Sequence, residues 1–235
     1  MSAAPVTALL VMAGLWPFGG GSEPVEAPTV GSLPDADVVI DEQASDPADS
    51  ARAMEAYERF LDAADPAQED LVATAIRRLA DLSLEMGEAL QLDEGLSPAA
   101  EARLARSVAL YQRLLTDYPD HAESDRVLYQ QARALELLQD PAAAQAALDQ
   151  AVALRPDGEL AAEAQFRRGE AFFMARDWVQ AEDAYAEVIA LGPDSAFYEQ
   201  ALYKHGWSRF KQSLHQESLD SFFAVLDRQL VTEDR

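Results

Sequence analysis

His121, His205, His215 and a dense set of carboxylates are the residues of this chain with the chemistry for metal binding or proton transfer. A helical zinc site needs two ligands four residues apart on one face, and no pair of these histidines has that spacing or sits in an HExxH motif. Cysteine is absent, which excludes thiolate nucleophiles, disulfides and cysteine-ligated metals. Asp35, Asp37 and Asp41 resemble part of a calcium loop but lack its turn glycine and terminal glutamate. Glu85 and Glu88, followed by Asp93 and Glu94 in an inserted loop, could be drawn as an acid–base pair. Acidic pairs are also what the wet face of a helix carries, and among 42 Asp and Glu such a pair has almost no specificity. Gly19, Gly20 and Gly21 lack the GxxxxGK spacing of a phosphate loop, and no GxSxG occurs. The expectation is a protein that is not an enzyme and holds no metal or cofactor.

Charge narrows the partners. Against 42 acidic residues stand 18 Lys and Arg, a net charge of −24, so neither nucleic acid nor direct lipid binding is expected, and a basic protein or peptide is favoured. With 49% hydrophobic and 26% charged residues, most of the chain can still bury a core. The acidity is unevenly placed, because residues 1–50 hold no Lys or Arg. Residues 1–18 contain an apolar run at 3–16, too short to span a bilayer and suited to the apolar centre of an export signal, although no basic stretch precedes it. A solvated apolar tail is the alternative. Residues 19–49, with Pro24, Pro28, Pro34 and Pro47 among acids and small residues, read as a disordered acidic linker.

Residues 50–235 are rich in Ala, Leu, Glu, Gln and Arg at helical spacing, which makes the class all-α. Laid over itself with a shift of 37, the chain aligns Pro119, Pro156 and Pro193, each followed by aspartate. The same shift aligns Tyr111, Leu148, Tyr185 and Phe222, and also Ser107, Ala144, Ala181 and Ser218. Ala132, Gly169 and Gly206 form a small-residue column to which Ala80 belongs once a 15-residue insertion near Gly95 is allowed for. Four units follow, at about 67–119, 120–156, 157–193 and 194–230. Each holds two helices, the small residue admitting the second at close range, and Pro-Asp stops the second helix and caps the next. Such units must stack to bury their faces. A helix at 50–63, with Met54, Tyr57, Phe60 and Leu61 on one side, caps the first unit.

Gly169, Phe172, Ala181, Tyr185 and Pro193 resemble the tetratricopeptide repeat, and the resemblance covers roughly residues 67–230. It implies a helical-hairpin solenoid winding as a right-handed superhelix. The chain departs from the pattern at Ser83 and Arg209, where an apolar residue is usual, and at Gln131, Arg168 and His205, where leucine precedes the small residue. The unit is also longer than the usual 34 or so residues. Segments 116–120 (TDYPD) and 201–210 (ALYKHGWSRF) look like those of bacterial cell-envelope members such as the Tol-Pal-associated division coordinator.

The resemblance further implies that the first helix of each unit lines a concave binding surface. It would present Arg77, Tyr129, Phe166 and Tyr203 three residues before the small position, and Asp81, Arg133, Glu170 and Trp207 one after it. Three aromatics at equal spacing beside alternating charges suit an extended peptide or a partner helix; packing between successive first helices is the competing reading. The family's carboxylate clamp is not expected, since the sequence contains no asparagine. His205 and Arg209, four apart, read as a polar contact between helices. The functional expectation is a protein-binding scaffold in the periplasm or envelope of a bacterium, or in the cytoplasm if residues 1–18 are not a signal. The alternatives are a self-associating structural subunit joined through its last helix, and the accessory part of a longer peptidoglycan-cleaving protein.

Overall fold

The computed structural model describes residues 47–65 and 67–233, and within them every regular element is an α-helix. The helices are α1 (Pro47–Ala63), α2 (Glu69–Glu94), α3 (Pro98–Asp117), α4 (Ser124–Leu137), α5 (Pro141–Leu154), α6 (Ala161–Met174), α7 (Trp178–Ala190), α8 (Tyr198–Lys211) and α9 (His215–Glu233). They form the expected helical-hairpin solenoid, with hairpins α2–α3, α4–α5, α6–α7 and α8–α9 and with α1 packed on α2. The apolar run at 3–16 and the segment 19–46 lie outside the described residues. α1 begins at Pro47, inside the segment expected to be linker, because proline is suited to a first helical turn and Asp49 complements the positive end of the helix.

The small-residue column sets how close the two helices of a hairpin come. A Cβ added to Gly169 would lie 2.5 Å from Tyr185 Cε1, and one added to Gly206 would lie 2.7 Å from Phe222 Cε1. Ala80 shares a buried cluster with Tyr111, and Ala132 shares one with Leu148. Tyr111 and Tyr185 are fully buried, so each large ring fills the space that the small residue leaves.

Two expectations about the connections change. The aspartates after Pro119, Pro156 and Pro193 do not cap the first helices, because two consecutive turns intervene. In the first connection His121 N–H bonds Tyr118 C=O and Ser124 N–H bonds His121 C=O, and the pattern recurs at 155–161 and 192–198. Capping falls instead on the second helices: Asp140 accepts from Ala143 N–H at 3.1 Å and Asp177 from Gln180 N–H at 3.3 Å. With helices of 13–14 residues in α4–α8 and three-residue turns inside the hairpins, the length beyond the usual repeat lies in these longer connections. The insertion is likewise not a loop. It extends α2 to 26 residues and α3 to 20, so Asp93 lies in helix.

The turn within each of the last three hairpins closes with a left-handed residue, Gln139, Arg176 or Ser213, spaced 37 apart at φ 61°, 62° and 67°. Paired bonds such as Asp177 N–H to Phe172 C=O and Arg176 N–H to Phe173 C=O satisfy the last carbonyls of the first helix. Glycine is the usual residue there, and its absence is why the sequence gives no signal for this turn.

The Gly169→Ala variant is expected to lower stability by roughly 1–3 kcal/mol, since Tyr185 has no room to retreat. Urea unfolding followed by circular dichroism checks this, and an unchanged midpoint would show that the hairpin yields.

Candidate partner-binding surface

The first helices α2, α4, α6 and α8 carry the eight residues expected to face a ligand, and the structure divides them into three environments. Between α2 and α4 lies a polar cleft of about 400 Å³ that contains Arg77, Asp81 and Arg133. Arg77 pairs with Glu123 at 3.2 Å and with Asp81 at 3.8 Å, while Arg133 pairs with Glu88 at 2.5 Å. Asp81 accepts a 2.7 Å hydrogen bond from the Tyr111 hydroxyl, which burial and this carboxylate hold well above the ordinary range for a phenol. Glu85 lines the same cleft. Partial desolvation, then Asp81 and Glu88, raise its carboxyl above the usual carboxylate range, and Arg78 offsets part of this.

The aromatic column does not form one ladder. Tyr129 is 5% exposed; its hydroxyl donates to Glu163 and accepts from Arg167 Nε at 3.0 Å. Burial and the bond to Glu163 push that hydroxyl up to about 12. Arg167 continues to Glu136 at 2.8 Å, so Tyr129 belongs to a network that ties α4 to α6 and is a packing residue. Phe166 is half-buried, its ring 5.6 Å from Tyr185 and 5.4 Å from Phe197. Tyr203 is 48% exposed and meets Trp207 edge-on at 6.2 Å, while Trp207 meets Phe210 and Phe222 at 5.5 and 5.8 Å.

An apolar groove of about 920 Å³ runs along α6. Glu163, Phe166, Glu170 and Met174 line it at helical spacing, with Ala171 beside them, and Phe197 closes one side. Met174 is 82% exposed there. Of the expected residues only Phe166 and Glu170 belong to this groove. Glu170 accepts from the Tyr185 hydroxyl at 2.5 Å and from Lys204 Nζ at 2.9 Å. Ala171 and Met174 were missed, although they lie four and seven residues after Arg167, which also lines the groove. A second legible signal was also missed. Where the second helix offers a hydroxyl (Tyr111, Tyr185), the residue after the small position is acidic (Asp81, Glu170). Where it offers none (Leu148, Phe222), that residue is Arg133 or Trp207.

Except for Ser83, whose hydroxyl donates to the Leu79 carbonyl on its own helix, the positions that depart from the repeat pattern have partners across the seams between units. Gln131 bonds Gln112 at 3.3 Å, Arg168 bonds Asp149 at 2.6 Å, and Arg209 bonds Glu182 at 2.7 Å. His205 stands 3.8 Å from Glu182 and 3.0 Å from the Ser221 hydroxyl. The polar inter-helix reading of His205 and Arg209 is what the structure contains. Among the described residues no three of His, Asp or Glu stand close enough together to hold a metal ion, and no helix is long and apolar enough to cross a membrane.

Residues 126–158 and 163–195, which span α4–α5 and α6–α7 with their connections, match the sequence pattern of the tetratricopeptide repeat. No curated protein matches the chain by sequence. Among solved structures it is similar to MamA, with a TM-score of 0.53 and 21% identity over 80% of this chain and 93% of that one. A kinesin light chain of Podosopora anserina with nearly identical TPR-like repeats gives a TM-score of 0.55 at 16% identity, over 82% and 100% of the two chains. At these identities the likeness is one of fold, a stack of tetratricopeptide-type hairpins.

The seam at His205 generates a pH prediction. Burial, and then Arg209, lower His205 to about 4, against the opposing pull of Glu182 and Asp183. The unfolded chain protonates this ring near its ordinary value while the folded chain resists until about pH 4. Its contribution is therefore complete above the ordinary histidine range and is lost as pH falls towards 4, by roughly 3 kcal/mol for the full shift. In His205→Gln, the drop in stability between pH 7 and pH 4.5 is expected to shrink, as measured by urea titration at both pH values. An unchanged drop would assign acid sensitivity to the carboxylates alone.

Proposed function

We propose that this chain is a non-enzymatic scaffold that holds a segment of a partner protein against its first-helix surface. Its tetratricopeptide repeats support a protein–protein interaction role. The observation that carries the reading is the groove along α6, where Met174 stands exposed above Phe166 and Phe197. Its floor is apolar, and its rim bears Glu136 and Glu163, both paired with Arg167, and Glu170, paired with Lys204, on a chain of net charge −24. The occupant that suits it is an extended or helical segment with apolar anchors flanked by Lys or Arg. Tyr129 is fixed in the Arg167 network, so replacing it would test folding more than binding; Met174 gives the cleaner probe.

A bacterial envelope setting is part of the same proposal. Its support is the likeness of segments 116–120 and 201–210 to envelope members of the repeat family, together with the apolar run at 3–16. In the native host, fractionation is expected to recover the full chain outside the cytoplasm; recovery in the cytoplasm alone would remove that setting.

For the groove, a photo-crosslinking residue at position 174 of the full chain is expected to capture a partner through a segment with apolar and basic residues. The same residue at exposed position 154 should not. Met174→Asp should weaken that partner's binding by about tenfold, the scale of a lost apolar anchor, with circular dichroism unchanged. Equal capture at both positions, or unaltered binding by Met174→Asp, would overturn the reading.

A further inference from the structure

The outward face of α9 is built differently from the equivalent faces of the earlier second helices. Leu219, Phe223 and Leu226 lie on it at i, i+4 and i+7, and they are 51%, 57% and 52% exposed. A shift of 37 relates Phe223 to Ala186, Asp149 and Gln112, and Leu219 to Glu182. Gln112, Asp149 and Glu182 are the groups that receive Gln131, Arg168 and Arg209 from the following first helix. In α9 both positions are large and apolar, where the interior seams hold Gln112, Asp149 and Glu182 and only Val108 and Ala186 are apolar. Leu226 corresponds to Val152, which the next hairpin covers to 8% exposure.

A first helix of the kind found in this chain would therefore meet the wrong chemistry on α9. Its Gln or Arg at the seam positions would face Phe223 and Leu219 and lose their partners, which costs more than the contact returns. Antiparallel pairing of α9 with a second copy is opposed by charge. The exposed carboxylates of Asp220 and Asp227 follow one edge of the stripe, and neither is ion-paired among the described residues. An antiparallel two-fold pairing brings the same edge of each copy together, so these carboxylates would oppose one another. Arg228, the single cation in the α9 sequence, is tied to Glu199 at 2.7 Å and to the Pro193 carbonyl at 2.7 Å.

We propose that this face is a second docking surface, independent of the α6 groove, whose occupant is an amphipathic helix of another protein with an apolar stripe bordered by Lys or Arg. Leu219, Phe223 and Leu226 supply the apolar seat, and Asp220 with Asp227 selects the basic border and orients it. The protein would then join two partners, one on each surface.

The probe is a fluorescent synthetic helix composed only of leucine and lysine, with its leucines on one face, titrated into the full chain and followed by anisotropy. A leucine–glutamate helix of the same pattern is the control and should not bind. Phe223→Asp should weaken the leucine–lysine helix by about tenfold or more, as for an apolar anchor. Because that variant adds negative charge, attraction to the acidic chain in general would make it bind as well or better, and that result overturns the proposal. Leu226→Ser repeats the test with no change of charge, and circular dichroism must match wild type in both. Asp220→Lys with Asp227→Lys should also weaken binding. Because the α6 groove suits a helix of the same kind, these titrations are made in the Met174→Asp background, where binding to α9 should persist. Binding lost in Met174→Asp but kept in Phe223→Asp would place the helix in the α6 groove and overturn the assignment. Sedimentation of wild type is expected to show no concentration-dependent dimer; a dimer abolished by Phe223→Asp would make a second copy the occupant.

Discussion

The close approach of two helices at one small residue is the constraint on which the architecture depends. At Gly169 and Gly206 no side-chain atom can be added without displacing an aromatic ring, and Ala80 and Ala132 hold the same place in the earlier hairpins. Because the ring fills the gap, the hairpin angle is fixed by packing. The residue after the small one then comes within reach of that ring's edge. A tyrosine at the edge, desolvated and needing an acceptor, selects a carboxylate beside it, as Tyr111 does Asp81 and Tyr185 does Glu170. Phe222 needs none and stands against Trp207. One steric requirement thus sets the chemistry of a surface position in each unit.

That coupling explains what the sequence revealed about the fold and about the surface. Period, hairpins and small-to-large columns were legible, because each rests on a residue type that steric contact permits at only one place. The turns were less legible. Gln139, Arg176 and Ser213 adopt left-handed backbone with no glycine to announce it, and a pair of turns moves Asp120, Asp157 and Asp194 away from the helices they were expected to cap. The candidate surface was legible as positions but not as exposures. Tyr129, Phe166 and Tyr203 are equivalent by spacing, yet their fates depend on neighbours that differ from unit to unit. Glu163 and Arg167 close over Tyr129, Tyr185 and Phe197 support Phe166, and Tyr203 meets only aromatic neighbours that leave it 48% exposed. Single-column reading cannot see neighbours on the following helix.

The acidity of the chain takes on a structural meaning once the pairs are placed. Along the first-helix surface, Arg77, Arg133, Arg167 and Lys204 each bridge to a carboxylate of a neighbouring unit. Each pair is partly exposed and contributes little to stability by itself. Geometry gives these pairs a different value. An arginine that reaches one particular carboxylate defines the offset between stacked hairpins, where an apolar seam alone would tolerate sliding, and a mismatched seam leaves a charge without its partner.

The same logic separates the interior seams from α9. A protein that stacks similar units must keep each unit from docking on the wrong neighbour, and polar groups at Gln112, Asp149 and Glu182 serve that end because only a matching first helix satisfies them. A surface that receives a different molecule has no need of that match. With Phe223 and Leu219 at the places of Gln112, Asp149 and Glu182, α9 lacks those polar partners and presents an apolar seat whose discrimination passes to its edge, where Asp220 and Asp227 stand. Selection by the border rather than by the floor is how an apolar surface can be specific on a chain of net charge −24: burial supplies the attraction, and charge decides which helix is admitted.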